Sequence, residues 1–374
     1  MKELLARQLL AKVMDFGDDL DDMAEVVDRL TTLSEIKYDD YGGYSPGVKF
    51  IESLAMWLTG FESEDRRTAL DFVLKRLTYV SAAELDHLVA TVYKDVLRPL
   101  YMKRAASLLG EPEWAVRKIR DSNAFKSLQR RTLVLGLSDG ARLDKLRRYS
   151  ALSTEQFHLV SVLDTEKQSD MSVKLAKALA KMGLEAARTF NSVIVVDDFS
   201  GSGTTMLRYD EDDHLWRGKL QKLQNHLADL KDNGVVADDA TVIVILYLIS
   251  DNADRELRAR IKKAGFESEI RLFSAHKFAA DFPLDTSDHD DNAFLELCMK
   301  YFRPTWKDEH NALAGDVTYG YGGSALPLVL HHNAPNNSPP IVWKDEAADG
   351  AVGDPSKDWM GVFPRYERHH PGRP

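Results

Sequence analysis

The stretch from Val193 to Thr205, VIVVDDFSGSGTT, constrains this chain more than any other. Val193, Ile194, Val195 and Val196 form an unbroken β-branched run, the pattern of a parallel strand buried on both faces. Asp197 and Asp198 are expected where that strand ends, the edge at which open α/β sheets receive ligands. The following residues, Phe199 to Thr205, supply Gly201 and Gly203 for tight backbone and four hydroxyls at Ser200, Ser202, Thr204 and Thr205. Such a loop can curl its amides around a phosphate. Two carboxylates would repel that phosphate, so they are expected to face ribose hydroxyls or a bound Mg²⁺ beside it. A ribose 5-phosphate meets both demands.

Two families write nearly this string. Type I phosphoribosyltransferases place two acids and a loop ending Ser/Thr-Gly-x-Thr after an apolar strand, which Asp197, Asp198 and Ser202-Gly203-Thr204-Thr205 resemble. DNA methyltransferases bind S-adenosylmethionine with Asp-Pro-Phe-x-Gly-Ser-Gly-Thr, similar to residues 197–204 except that Asp198 replaces Pro. Their second element, Ser-Pro-Pro-Tyr, has an echo at Ser338-Pro339-Pro340-Ile341, but Ile341 lacks the aromatic face that would stack on a flipped base. A dinucleotide-type site also wants an acid ending a second strand about 20 residues on, whereas the next strong strand begins near Thr241. The phosphoribosyltransferase reading is the better local fit.

With 374 residues the chain is long enough for two domains. The longest apolar run, Val242 to Ile249, is far short of a membrane helix, and the N-terminal residues interleave charge with leucine, so a cytoplasmic protein is expected. The single cysteine, Cys298, suits a reduced compartment and reads as buried and inert. A net charge of -10 argues against a surface broadly coated for nucleic acid. Residues 117–148 are the exception, with ten Lys and Arg against three Asp, a basic stripe through which nucleic acid or a diphosphate could bind.

Apolar spacing makes residues 1–130 a helical docking or sensing domain, with a capping box at Ser81 and Glu84 and a kink or restart at Pro99. Residues 131–280 alternate strand and helix as a parallel sheet requires. Its elements are strands at 132–135, 157–163, 193–196, 241–250 and 269–275, a helix capped by Asp170, and a helix after Thr205 interrupted by an acidic loop at 209–214. The loop after the first strand, Gly136-Leu137-Ser138-Asp139-Gly140-Ala141-Arg142, is a second anion-binding candidate, with Ser138, Asp139, Gly140 and Arg142 placed for a diphosphate. Residues 281–374 form an irregular extension, a hood in which Asn336, Asn337 and Trp343 could recognise and stack on a base. His331-His332, His369-His370 and Asp288-His289-Asp290-Asp291 lack the spacing of metal ligands.

Four stretches together resemble a more specific group, the phosphoribosyltransferase-like effectors of bacterial conflict systems (PRTase-CE), some of them partners of retron reverse transcriptases. These are Tyr44 to Phe50, Gly136 to Arg142, the central motif, and Asn336 to Trp343 with Trp359 and Phe363-Pro364-Arg365. The resemblance implies a type I phosphoribosyltransferase α/β domain behind a helical N-terminal domain, and an anti-phage role in which a reverse transcriptase is a possible partner. It also implies phosphoribosyl diphosphate or a nucleotide as ligand, Mg²⁺ held directly or indirectly by Asp197 and Asp198, and chemistry at ribose C1. Purine-salvage relatives place a base-assisting carboxylate where Gly201 stands here, so that variant of the mechanism is not expected. Two alternatives remain open at this point: a nucleotide-sensing, partner-binding module without turnover, and an S-adenosylmethionine-dependent methyltransferase.

Overall fold

The computed structural model of the chain describes residues 3–14, 20–307, 315–346 and 358–365. The elements begin with α1 (Glu3–Met14), α2 (Leu20–Ile36), α3 (Phe50–Thr59), α4 (Arg66–Lys75), β1 (Thr78–Val80) and α5 (Ala82–Thr91). Then come α6 (Arg98–Leu109), α7 (Val116–Asp121), α8 (Asn123–Arg130), β2 (Thr132–Gly136), α9 (Leu143–Tyr149), β3 (Phe157–Leu159) and α10 (Thr165–Lys181). They continue with β4 (Phe190–Ser200), β5 (Arg208–Asp210), β6 (Leu215–Arg217), α11 (Lys219–Asp232), β7 (Val236–Ser250), α12 (Asp251–Lys263) and β8 (Ile270–Phe278). The last are α13 (His289–Tyr301), β9 (Leu328–Leu330) and α14 (Pro340–Trp343). None of the described helices is long and apolar enough to cross a membrane.

Two compact units result, one drawn from Met1–Glu84 and Ala280–Pro374, the other from Leu85–Ala279. This division differs from the expected 1–130, 131–280 and 281–374 because the two ends of the chain share one hydrophobic core. Phe50, Leu54, Trp57 and Leu58 of α3 pack with Phe294 of α13, Ile341 and Trp343 of α14, and Trp359 and Phe363. Phe72 stacks on Phe294 with ring centroids 3.7 Å apart. The N-terminal region is therefore not purely helical: β1 pairs in parallel with β9, Thr78 opposite Leu328. Ser81 and Glu84 make the capping box, with Glu84 N–H donating to Ser81 Oγ at 3.2 Å and Ser81 N–H to Glu84 Oε2 at 2.8 Å.

The second unit holds a five-stranded, wholly parallel sheet in the order β3-β2-β4-β7-β8. Val193 to Val196 are completely buried in its centre, as an uninterrupted β-branched run on a two-sided sheet demands. Leu133, Leu135, Val193, Val195, Val242 and Val244 face α10, α11 and α12. The alternate residues Val134, Ile194, Val196, Ile243 and Ile245 are buried as well, so both faces are covered. Taken in chain order the strands lie 2-1-3-4-5, which puts the topological switch between β2 and β4.

Several boundaries depart from the sequence expectation. The helix before β4 is capped by Asp164, whose carboxylate accepts the Lys167 N–H at 2.8 Å, and not by Asp170, which pairs with Lys174 inside the helix. Pro99 is accommodated without a break, because residues Val92–Leu97 widen into a π turn just before α6. The stretch after Thr205 opens not as a helix but as an antiparallel hairpin, β5 against β6, with the acidic residues at its turn, and the helix beyond the acidic loop is α11.

Candidate functional site

The loops that follow β2 and β4 meet at the switch point. Leu137 N–H donates to Val196 O at 3.1 Å, so the first loop is tied to β4 beyond the end of its own strand. Ser138 Oγ donates to Asp197 Oδ1 at 2.5 Å. A Cβ placed on Gly140 would lie 2.5 Å from Asp198 Oδ2, so any larger residue here would push that carboxylate aside. Arg142, the residue just before α9, has φ 47°, a left-handed conformation that costs an arginine roughly 1–2 kcal/mol. Strain of this kind concentrates at binding loops.

Asp197 and Asp198 stand within the last residues of β4, which runs on to Ser200, not beyond its end. Successive strand side chains point to opposite faces, and this gives the two acids different surroundings. Asp197 shares the face of Val193 and Val195 and is completely buried. Lys219, the first residue of α11, donates to its Oδ2, and Ser138 occupies Oδ1, so both oxygens are engaged. Burial and then the neighbouring Asp198 charge push the Asp197 carboxyl above the usual carboxylate value, while Lys219 and Ser138 offset them only in part. Asp198 is half-buried and accepts the Phe199 N–H on Oδ1 at 2.8 Å. It is the carboxylate of the pair that a ligand can reach.

The loop from Phe199 to Thr205 is held from behind. Gly203 has φ 73° and its N–H donates to Ser200 Oγ at 3.2 Å. Ser202 Oγ takes the Thr204 N–H at 3.4 Å, and Ser250 Oγ donates to Gly201 O at 2.7 Å. Arg260 of α12 lies within 3.3–3.5 Å of Ser202 O, Thr204 Oγ1 and Leu207 O. The N–H groups of Gly201, Ser202 and Thr205 have no acceptor among the described residues. Lys219 N–H donates to Thr205 O at 3.1 Å and Leu220 N–H to Met206 O at 2.9 Å, so α11 starts against the loop despite the intervening hairpin. Donor amides and the positive end of a helix thus converge beside an accessible carboxylate.

Sequence reasoning missed three supports of this arrangement. Asp86 of α5 pairs with Arg142 at 2.9 Å and Lys145 at 2.5 Å. Tyr247 of β7 donates its hydroxyl to Ala141 O at 2.6 Å. Lys219 is the third. Of these only Tyr247 carries a signal, as the one polar tip in the otherwise apolar run from Val242 to Ile249.

The remaining candidates lie on other segments of the chain. Asn336, Asn337 and Trp343 belong to the other unit, where Trp343 is 7 % exposed. Its indole N–H donates to Ser338 O at 2.8 Å and the Arg365 guanidinium lies 5.3 Å from its ring centroid. Asn337 Nδ2 donates to Ser324 Oγ at 3.1 Å. These are the contacts of turns packed by an aromatic side chain. Ser338, Ile341 and Trp343 likewise form a core corner, and Cys298 is fully buried with its thiol pushed up by that burial. Of the basic residues of 117–148, Lys118 pairs with Glu111, Arg130 with Glu155, and Arg142 and Lys145 with Asp86, while Arg131 donates to Thr189. Asp288 caps α13, Asp291 pairs with Arg76 at 2.6 Å, and His331 follows β9. His369 and His370 lie outside the described residues. Among the described residues no three His, Cys, Asp or Glu side chains form a metal-ligand group.

A family model, PRTase-CE, matches residues 54–365. That span takes in the 136–142 loop, the central motif and the C-terminal aromatic stretch, and leaves Tyr44 to Phe50 outside it. No curated protein and no solved structure matches the chain.

Proposed function

Because the chain belongs to the PRTase-CE family, we propose that its two switch-point loops bind a 5-phosphorylated ribose and support bond making or breaking at ribose C1. The observation that carries this reading is the convergence of the Gly201, Ser202 and Thr205 amides, unpartnered among the described residues, with the reachable Asp198 carboxylate and the Gly140 backbone. In this reading the 199–205 loop holds the 5-phosphate and Asp198 accepts hydrogen bonds from the ribose hydroxyls. The 138–142 loop receives the diphosphate of phosphoribosyl diphosphate. Asp197, engaged by Ser138 and Lys219, holds the two loops in register and does not itself touch the ligand.

Mg²⁺ fits the donor set, since Asp198 and the exposed Asp139 offer hard carboxylate oxygens and a diphosphate supplies others. When bound, it would neutralise the departing diphosphate. The chain's own contribution is placement and field: the leaving group is held by loop amides, and charge developing at C1 is met by Asp198. In the cell the protein would act as an effector of anti-phage defence, working in the cytoplasm with a partner such as a reverse transcriptase.

A second reading, a nucleotide sensor without turnover, draws support from the engagement of Asp197 by Lys219 and from Gly201 at the base-assisting position. Calorimetric titration with phosphoribosyl diphosphate and Mg²⁺, followed by a diphosphate-release assay, separates the two. Binding that weakens at least tenfold in Asp198→Asn supports the site. Release by the wild type, with water or an added nucleobase taking the ribose C1 as diphosphate leaves, then marks an enzyme, and binding without release in the presence of either marks a sensor. Binding of S-adenosylmethionine in place of phosphoribosyl diphosphate would overturn both.

A further inference from the structure

The hairpin of β5 and β6 encloses, with the second half of α12, a cleft of about 380 Å³. It adjoins the phosphate loop, with Thr204 of that loop forming part of its wall. Its lining joins three cations, Arg208, Arg260 and Lys263, to two aromatic rings, Tyr209 and Trp216. Glu256 contributes a carboxylate, which pairs with Arg260 at 3.2 Å. Arg208 and Lys263 have no carboxylate partner among the described residues.

Two features indicate that this charge serves a ligand. Arg208 stands directly opposite Arg217 across the hairpin, a like-charge pair that costs stability unless each cation is answered. Arg217 is answered by Asp210 and Asp213; Arg208 faces the cleft with no such relief. The rings point the same way. Trp216 meets Tyr209 edge-on with centroids 5.2 Å apart, and Lys263 sits 5.4 Å from the Tyr209 centroid. Half-buried aromatic surface therefore adjoins unneutralised cations in a space of small-ligand size.

We propose that this cleft is a second ligand site beside the ribose-phosphate cradle, sharing only Thr204 with it, and that it takes a mononucleotide with its phosphate on Arg208 and Lys263 and its base against Trp216. A planar base uses the aromatic side and a phosphate the cationic side, and neither alone accounts for both. Base–aromatic stacking is expected to make the whole nucleotide bind about 5- to 100-fold tighter than its phosphate.

The test uses the full chain labelled with 5-fluorotryptophan, the Trp216 resonance being assigned through Trp216→Phe. Titration with AMP is expected to shift that resonance saturably, equally in the wild type and in Asp198→Asn, whose substitution lies in the other site. The shift is expected to vanish in Arg208→Glu/Lys263→Glu, with an unchanged thermal melt verifying its fold. A Trp216 resonance unmoved by millimolar AMP, or a shift that survives the charge reversal, overturns the proposal. Inorganic phosphate binding as tightly as AMP removes the base from it. A response to a single-stranded oligonucleotide but not to AMP overturns the mononucleotide assignment. Because the readout is confined to Trp216, failure here leaves the cradle's affinity for phosphoribosyl diphosphate as a separate result.

Discussion

The stretch Asn336 to Trp343 and the loop Phe199 to Thr205 look alike on paper, each a run of small polar residues with glycine or proline beside a strong apolar element. In the structure they do opposite things with their polar groups. Around Trp343 those groups turn inward: Ser338 Oγ donates to Leu328 O at 2.6 Å, Asn337 Nδ2 to Ser324 Oγ, and the indole to Ser338 O. Around Gly201 they are left open, with three backbone amides unpartnered among the described residues. Composition does not separate a packed corner from a binding loop; hydrogen-bond satisfaction does.

The comparison breaks first if the aromatic corner proves dispensable. Phe363 is fully buried among Tyr38, Tyr41, Tyr44 and Phe50, and Phe363→Ala is expected to cost about 3–5 kcal/mol in urea denaturation. A Trp343→Ala protein of full stability that had lost ligand binding would instead move Trp343 into the site. Next in size is Lys219→Met, which strands Asp197 as an unpaired buried carboxylate. We expect a loss approaching 3 kcal/mol, with Lys219→Met/Asp197→Leu recovering most of it.

Asp198→Asn sharpens the contrast from the other side. Its stability should stay within about 0.5 kcal/mol of the wild type, while turnover of phosphoribosyl diphosphate falls about 10²-fold, near 2.7 kcal/mol of barrier. A variant with unchanged turnover would remove Asp198 from the chemistry.

The smallest effect is in pH. Burial alone would raise the Asp39 carboxyl, but hydrogen bonds from Lys49, Ser34 and the Phe50 N–H outweigh it and hold the group below its ordinary value. Its stabilisation is therefore present above that ordinary value and lost as pH falls through the lowered one. Asp197 runs the other way, with stabilisation present below the ordinary carboxylate value and lost as pH rises through the raised one. Denaturation between pH 3 and 6 should accordingly find Asp39→Asn costliest at the upper end and Asp197→Asn costliest at the lower. Parallel trends would contradict the environments described for the two groups.

How much of this was readable follows from where each interaction sits in the chain. β4 was legible because a strand buried on both faces leaves an unbroken β-branched run, and the loop after it because phosphate cradles draw on few residue types. The junction of the two chain ends was not, since Trp57 Nε1 donating to Ile341 O at 2.7 Å spans 284 residues and no periodicity announces it. The hairpin was read as an interrupted helix because strands of three residues leave too short an alternation to detect. That misreading hid Lys219, which reaches Asp197 only because β5 and β6 return the chain to Thr205.

The hairpin also has a meaning for how such a protein can diverge. The chain leaves the phosphate loop at Leu207 and comes back at Gly218, where a φ of 118° brings the backbone so close to Met206 O that a Cβ would lie 2.6 Å from it. Everything between is an appendage whose two ends are fixed and of whose side chains Trp216 packs against the core of the sheet. Mutation can rewrite Arg208 and Tyr209 while β4, its acids and the start of α11 stay where they are. Lineages sharing one chemical centre are thus free to answer to different small molecules, and the residues 208–217 are where that variation is expected to collect.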